Sequence, residues 1–348
     1  MEAVAPPSIR RPLLVRLITP KRILFTGLLL TLLVAVLARM SSGDYIFLPD
    51  RAHPVDPLVH VAGGHDPANG GGIYFVDVIV RRATVLEQLF GGLHTGADLY
   101  PASAVVPPGV SDTQQNQVDA FEMKTSQQIA AAVALRELGR KVTTSQSGAL
   151  VEFVRPGFPA AGKLAPTDVI VAVDGRPVSS PAGVSAVMDG SRAGTSFSFR
   201  ILHGGRARLV TLRTVPDEPG STRGVVGIFL APDETIHLPI RVSIDAHGIG
   251  GPSAGLAFAL DVLQQLGRNV DRGYKIAATG EIYLNGAVGP IGGIKQKTIG
   301  AREAGVDAFL VPTANAAAAR KYADGLRIIP VNTFQQALRE LATLPPKG

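Results

Sequence analysis

The chain has 348 residues, 46% of them hydrophobic and 18% charged, with a formal net charge of +6. That length leaves room for two globular domains, and the composition excludes a disordered chain. The absence of cysteine excludes disulfides, zinc-thiolate sites and cysteine nucleophiles.

Residues 1–22 carry Arg10, Arg11, Arg16, Lys21 and Arg22 against Glu2, so most of the positive charge belongs to an N-terminal tail. No basic run interleaves with aromatic residues and tryptophan is absent, which leaves no stacking platform for nucleic acid. An uncharged apolar run, Ile23 to Ala38, follows; Met40 extends it and Arg39 can snorkel. These features predict a cytoplasmic basic tail at 1–22, a single-pass transmembrane anchor at 23–40 and, by the positive-inside rule, an extracytoplasmic remainder. A cleaved signal peptide is the rival, with Val36 and Ala38 as the small residues before a cut.

Residues 41–141 read as an N-terminal extracytoplasmic region. A Pro-rich and Gly-rich connector leads to a strand over 73–80, and an amphipathic helix over 120–139 stops at Gly139. Between them, 83–118 has little pattern. Residues 142–217 differ, with short apolar runs punctuated by turns and a hairpin signal at Asp174-Gly175. From 224 to 345 strand and helix signals alternate. A period-two strand spans Ile240 to Ala246, a helix apolar nearly all round spans Gly255 to Leu266, and a hairpin turns at Asn285-Gly286. The fold class expected is α+β: a transmembrane helix, a β-rich domain and a compact α+β domain.

The segment "PGFPAAGKLAPTDVIVAVDGRPV" resembles the PDZ family, with "SGALV" at the place of its peptide-carboxylate loop. The resemblance implies that an extended peptide adds as a strand beside Leu150 to Phe153, held by Gly148, Ala149, Leu150 and Val151. The alternative is a small β-rich packing domain with an unoccupied groove.

Gly251-Pro252-Ser253-Ala254-Gly255 fits G-x-S-x-G in a strand–turn–helix context. The α/β-hydrolase reading requires a histidine after the serine, and the seven histidines all precede Ser253. His247 and His237 remain as bases in another triad order, although His247 has no evident carboxylate orienter. Lysine is the other candidate, since burial lowers its pKa toward neutrality. Lys295 follows Gly292-Gly293 and adjoins Ile294, so it can enter a packed site; Lys297, between Gln296 and Thr298, reads as solvent-facing. Without further context Ser253 reads as a helix N-cap and Lys295 as a surface charge.

"GGPSAGLAFAL" followed by "TGEIYLNGAVGPIGGIKQKTIGAREAGVDAFLVP" resembles the proteolytic domain of Lon-type peptidases, a Ser–Lys dyad class. The resemblance implies a nucleophile at Ser253, its base at Lys295, Thr279 orienting the lysine, and Gly251 and Gly255 clearing the approach of substrate. Gly250 stands where the family commonly has an acidic residue. No Walker A motif is present, and no metal or other cofactor is expected.

Together the two resemblances imply a membrane-anchored, ATP-independent bacterial serine endopeptidase with extracytoplasmic polypeptide substrates, and a homo-oligomeric ring as its assembly. The competing readings are a carboxyl-terminal processing type of Ser–Lys protease and a catalytically silent PDZ scaffold.

Overall fold

Strand Lys275–Ala278 is central to a sheet that joins segments far apart in the sequence. In this computed structural model, which describes residues 20–65, 70–107, 110–246, 248–345 and 347, it runs parallel to Gly72–Phe75 on one side and to Ala308–Pro312 on the other. Arg327–Val331 continues the parallel order, and His53–Pro54 closes the opposite edge antiparallel. Its central parallel strands, from Ile276 to Ala278 and over Ala308–Pro312, are buried on both faces, as parallel strands require. Ile276 and Ala278 enter one core with Leu256, Leu260 and Phe334, while Ala277 enters another with Phe309 and Val311. Helices Gly255–Gln265 and Phe334–Ala342 therefore cover one face, and Ile294–Glu303 and Thr313–Arg320 the other. This body is mixed α/β and not the α+β class expected, because its strands are joined in parallel by crossover helices.

The boundary expected at 141 does not divide this packing. Val55, Ile73, Phe75, Met123, Ala130 and Val133 share a core with Leu256 and Leu260. The N-terminal region thus builds one layer of the same body as residues 242–344. Helix Asp112–Glu137 starts earlier than expected because Ser111 and Gln114 form a capping box upstream of the apolar stripe. The apolar run expected as one strand over 73–80 is split. Gly72–Phe75 belongs to the five-stranded sheet, whereas Val78–Thr84 pairs with Ser41–Pro49 in a three-stranded sheet completed by Asp98–Pro101.

The second sheet has the order Arg206–Arg213, Ser196–His203, Val169–Val173, Thr143–Val154, Ile228–His237. Its hairpin turns at Asp174 and Gly175 as expected, with both φ angles positive, 47° and 76°, as a type I′ turn demands. Ile228–His237 pairs with Thr143–Val154 over its whole length, so the sheet extends beyond residue 217.

The anchor expected at 23–40 is overturned. The first described helix, Pro20–Leu37, includes Lys21 in its opening turn, and the chain turns before strand Ser41–Pro49. The uncharged part, Ile23 to Leu37, rises only ~22 Å against a hydrocarbon core of ~30 Å. No helix among the described residues is long and apolar enough to cross a membrane, and the single-pass localisation falls with the anchor. Most of the predicted tail lies outside the described residues.

Candidate active site

Three close approaches place Ser253 at the head of its helix. A Cβ on Gly255 would stand 2.6 Å from Ser126 Oγ and 2.8 Å from Ile282 Cγ2, so only glycine lets the helix seat between the long helix Asp112–Glu137 and the hairpin that begins at Glu281. Gly251 has φ 80° and donates its N–H to Asp119 O at 2.9 Å. Ser126 Oγ donates to Pro252 O at 2.9 Å. The turn Pro252–Ala254 is thereby tied on one side to the long helix. On the other, Gly280 N donates to Ser253 O at 2.8 Å and Leu256 N to Gly280 O at 3.1 Å. Gly250 faces the same helix: a Cβ there would lie 2.8 Å from Asp119 Cβ, which leaves no room for a side chain.

The lysine beside the serine is Lys297. Its Nζ lies 2.5 Å from Ser253 Oγ and 3.4 Å from Thr279 Oγ1, and Thr279 Oγ1 in turn donates to Ser253 O at 3.1 Å. With its hydroxyl proton committed to that carbonyl, Thr279 offers the amine a lone pair. One Lys297 N–H is then oriented toward Thr279.

Lys295, expected in this role, is held elsewhere: its Nζ donates to Asp98 Oδ1 at 2.7 Å and to Ala97 O at 3.2 Å. Helix geometry is the reason. Residues two apart on Ile294–Glu303 are separated by about 200°, so only one of the two lysines can face Ser253. Residues 296–301 are all buried, and on the side of Lys297 the helix packs so closely that a Cβ on Gly300 would overlap Asp50 O. A lysine followed by small residues at i+3 and i+4 is the signal in the sequence that marks the inward side. The Ile294 next to Lys295 is a poorer guide, because adjacent residues differ by about 100°.

Lys297 is 4% exposed, and this burial pushes its ammonium pKa down from 10.5 to about 8, with the Asp77 charge opposing the shift. Burial and the neighbouring Asp50 raise the Asp77 carboxyl, while His53 and Lys297 draw it down. Asp77, which the sequence reading passed over, sits at the bend between the two strands that split the expected 73–80 run. Ser253 and Lys297 open into a cleft of about 1250 Å³, and into a smaller pocket of about 230 Å³ whose walls include Phe47, Val76, Asp77, Val78 and Ile249. His237 contacts Ser145 Oγ at 3.0 Å at the end of its strand. His247 lies outside the described residues.

The expected peptide edge at Gly148 to Val151 is occupied on both sides. Leu150 and Val151 oppose Ala231 and Leu230, and Ala149 and Leu150 oppose Ile170 and Val169. The edge strand on that side of the sheet is Ile228–His237, with Arg206–Arg213 at the opposite edge. Between its first residues and helix Pro181–Met188 lies a groove of about 870 Å³, lined also by the loop Gly224–Gly227.

A buried lysine against a serine at a helix start is the arrangement that a serine peptidase of the Ser–Lys class requires, and it shares this chain with an antiparallel sheet whose edge opens on a groove. Residues 228–343 match the Lon protease (S16) C-terminal proteolytic domain and residues 136–214 match the PDZ domain. The chain carries a Lon-type serine protease domain together with a PDZ domain. Lon protease 2 of Bacillus subtilis is 39% identical over 33% of this chain and 20% of its own length. Lon protease 1 of Myxococcus xanthus is 41% identical over 27% of this chain and 12% of its own. The chain thus spans a fifth or less of these relatives. The PDZ domain of the SdrC-like protein from Listeria monocytogenes aligns over 24% of this chain and 87% of its own, with 21% identity and TM-score 0.23.

Proposed function

We propose that this chain is a serine endopeptidase that cleaves polypeptides without nucleotide, using Ser253 as nucleophile and Lys297 as general base. The observation that carries this reading is the 2.5 Å approach of a buried lysine amine to the serine hydroxyl. Neutral Lys297 takes the Ser253 proton as Oγ bonds to the scissile carbonyl carbon, and returns it to the departing amine. Water then enters by the same route and releases the acyl group. Ser253 lies in the first turn of a helical segment, where leading N–H groups lack intrahelical acceptors. The chain has no Walker A sequence of its own to supply nucleotide chemistry.

Polypeptide ends bind, on this reading, along Ile228 to Leu230 as an added strand against helix Pro181–Met188. Digestion of an unstructured protein by wild type, Ser253→Ala and Lys297→Ala, with and without ATP, tests the proposal. Cleavage by wild type alone, unchanged by ATP, is expected, with a fluorophosphonate adduct that requires Ser253. Cleavage that survives Ser253→Ala, or that needs ATP, overturns it, and complete inactivity of the wild type favours a peptide-binding scaffold.

A further inference from the structure

We infer that Asp77 is a positioning residue for the Ser253–Lys297 pair, its carboxylate standing in the cleft wall to hold the ammonium that forms when the serine gives up its proton. The inference rests on the dyad reading above. The backbone explains the placement. Strand Gly72–Phe75 ends in the five-stranded sheet and Val78–Thr84 begins the three-stranded one, so the chain crosses between sheets at Val76 and Asp77. That crossing brings Asp77 into the wall of both cavities that hold Ser253 and Lys297. Asp77 Oδ1 is buried and accepts no hydrogen bond among the described residues. A buried carboxylate oxygen left unpartnered costs stability, and an outlier of this kind is retained where a transient charge needs it.

Lys297 is the group with that need. Its amine is out of water, and its side-chain contacts are the hydroxyls of Ser253 and Thr279. When Oγ bonds to the carbonyl carbon and the proton moves to Nζ, a full positive charge appears on an amine with little access to water. Asp77 is the charged group whose field acts on Lys297, and it favours the ammonium. On its other side Asp77 faces Asp50 and His53, with side-chain ligand atoms of the three within 4.8 Å, and His53 Nε2 lies 3.3 Å from Asp50 Oδ2. Farther along the same cleft stand Arg81, Arg82, Asp112, Asp119, Lys124 and Asp245. Arg82 is turned to Asp112, and Arg81 to Glu87.

The test is the pH profile of kcat/KM on a fluorogenic peptide for wild type, Asp77→Asn, Asp77→Glu and His53→Gln. In the wild type, activity rises with pH as Lys297 loses its proton. In Asp77→Asn this limb moves to lower pH by about one unit, because the ammonium has lost its counter-charge, and the plateau falls about tenfold. Asp77→Glu returns the midpoint to the wild-type value, and His53→Gln leaves it in place. A midpoint does not depend on the fraction of enzyme folded, so a merely structural role of Asp77 would not move it. An unmoved midpoint in Asp77→Asn overturns the inference, as does a shift produced by His53→Gln alone. If Lys297→Ala keeps its activity, the dyad reading itself fails; if Ser253→Ala and Lys297→Ala are inactive and Asp77→Asn titrates as wild type, only the role of Asp77 falls.

Discussion

Replacing Lys297 with methionine should destroy activity and stabilise the fold. Burial holds the lysine pKa at about 8 against 10.5 in water, and at ~1.4 kcal/mol per unit the folded state bears about 3 kcal/mol for keeping an ammonium out of water. Methionine fills a similar volume without that cost, but forfeits the contact with Ser253, worth about 1 kcal/mol. A net gain of about 2 kcal/mol at pH 7 is expected from urea unfolding. The sign of the pH dependence follows from proton counting. Below pH 8 the folded and unfolded lysines both carry the proton and the cost is complete. Between 8 and 10.5 the unfolded chain binds more protons than the folded one, so wild-type stability rises with pH. The advantage of the variant should therefore shrink across that window. Peptide cleavage should fall at least ~100-fold. A variant no more stable than wild type at pH 7, or one whose advantage grows with pH, would refute the argument that Lys297 is a desolvated base.

Lys295→Ala should cleave peptide within about twofold of wild type and lose no more than about 1 kcal/mol, since its pair with Asp98 is partly exposed; a loss as large as that of Lys297→Ala would return the catalytic role to Lys295. Gly250→Ala should drive its new Cβ into Asp119, 2.8 Å away, displace the loop before Ser253 and lower kcat/KM about tenfold or more. Adding Asp119→Gly should restore part of that activity. Gly227 has φ +80°, and a Cβ there would lie 2.2 Å from Phe158 Cβ. Gly227→Ala should therefore deform the groove, weaken binding of a labelled peptide by fluorescence anisotropy and leave cleavage of a short peptide unchanged.

The serine was legible because its setting is local. Gly251, Gly255 and the apolar helix behind them follow one another in the chain, and each glycine answers a close contact in the fold. The lysine was misread: Lys295 was chosen and Lys297 taken as solvent-facing, because a motif records neighbours along the chain whereas a helix sorts them by angle, and it is Lys297 that the helix turns to Ser253. Asp77 could not be read at all. It reaches the cleft wall through a strand break inside an otherwise apolar run, and what breaks the strand is its pairing with partners elsewhere in the chain. The hydropathy of residues 23–40 misled in another way: composition there is apolar enough, but the helix stops at Leu37 and the remaining residues turn into a strand.

The peptide edge was misplaced for a reason that also explains how the two modules are joined. Strand Thr143–Val154 carries the motif residues, yet its free side is covered by Ile228–His237, which lies beyond the recognisable PDZ segment. The register runs from His237 opposite Thr143 to Ile228 opposite Val154. The chain therefore enters and leaves the PDZ sheet at the same end, through a paired two-stranded stem. Before the stem stands helix Asp112–Glu137, whose Asp119 and Ser126 hold the loop of Ser253; after it comes Val242–Ile244, then that loop itself. Adjacent ends are what allow one domain to be set inside another without disturbing its core. Here they also mean that strand Ile228–His237, whose first residues line the groove, leads from its far end through Val242–Ile244 to the loop of Ser253.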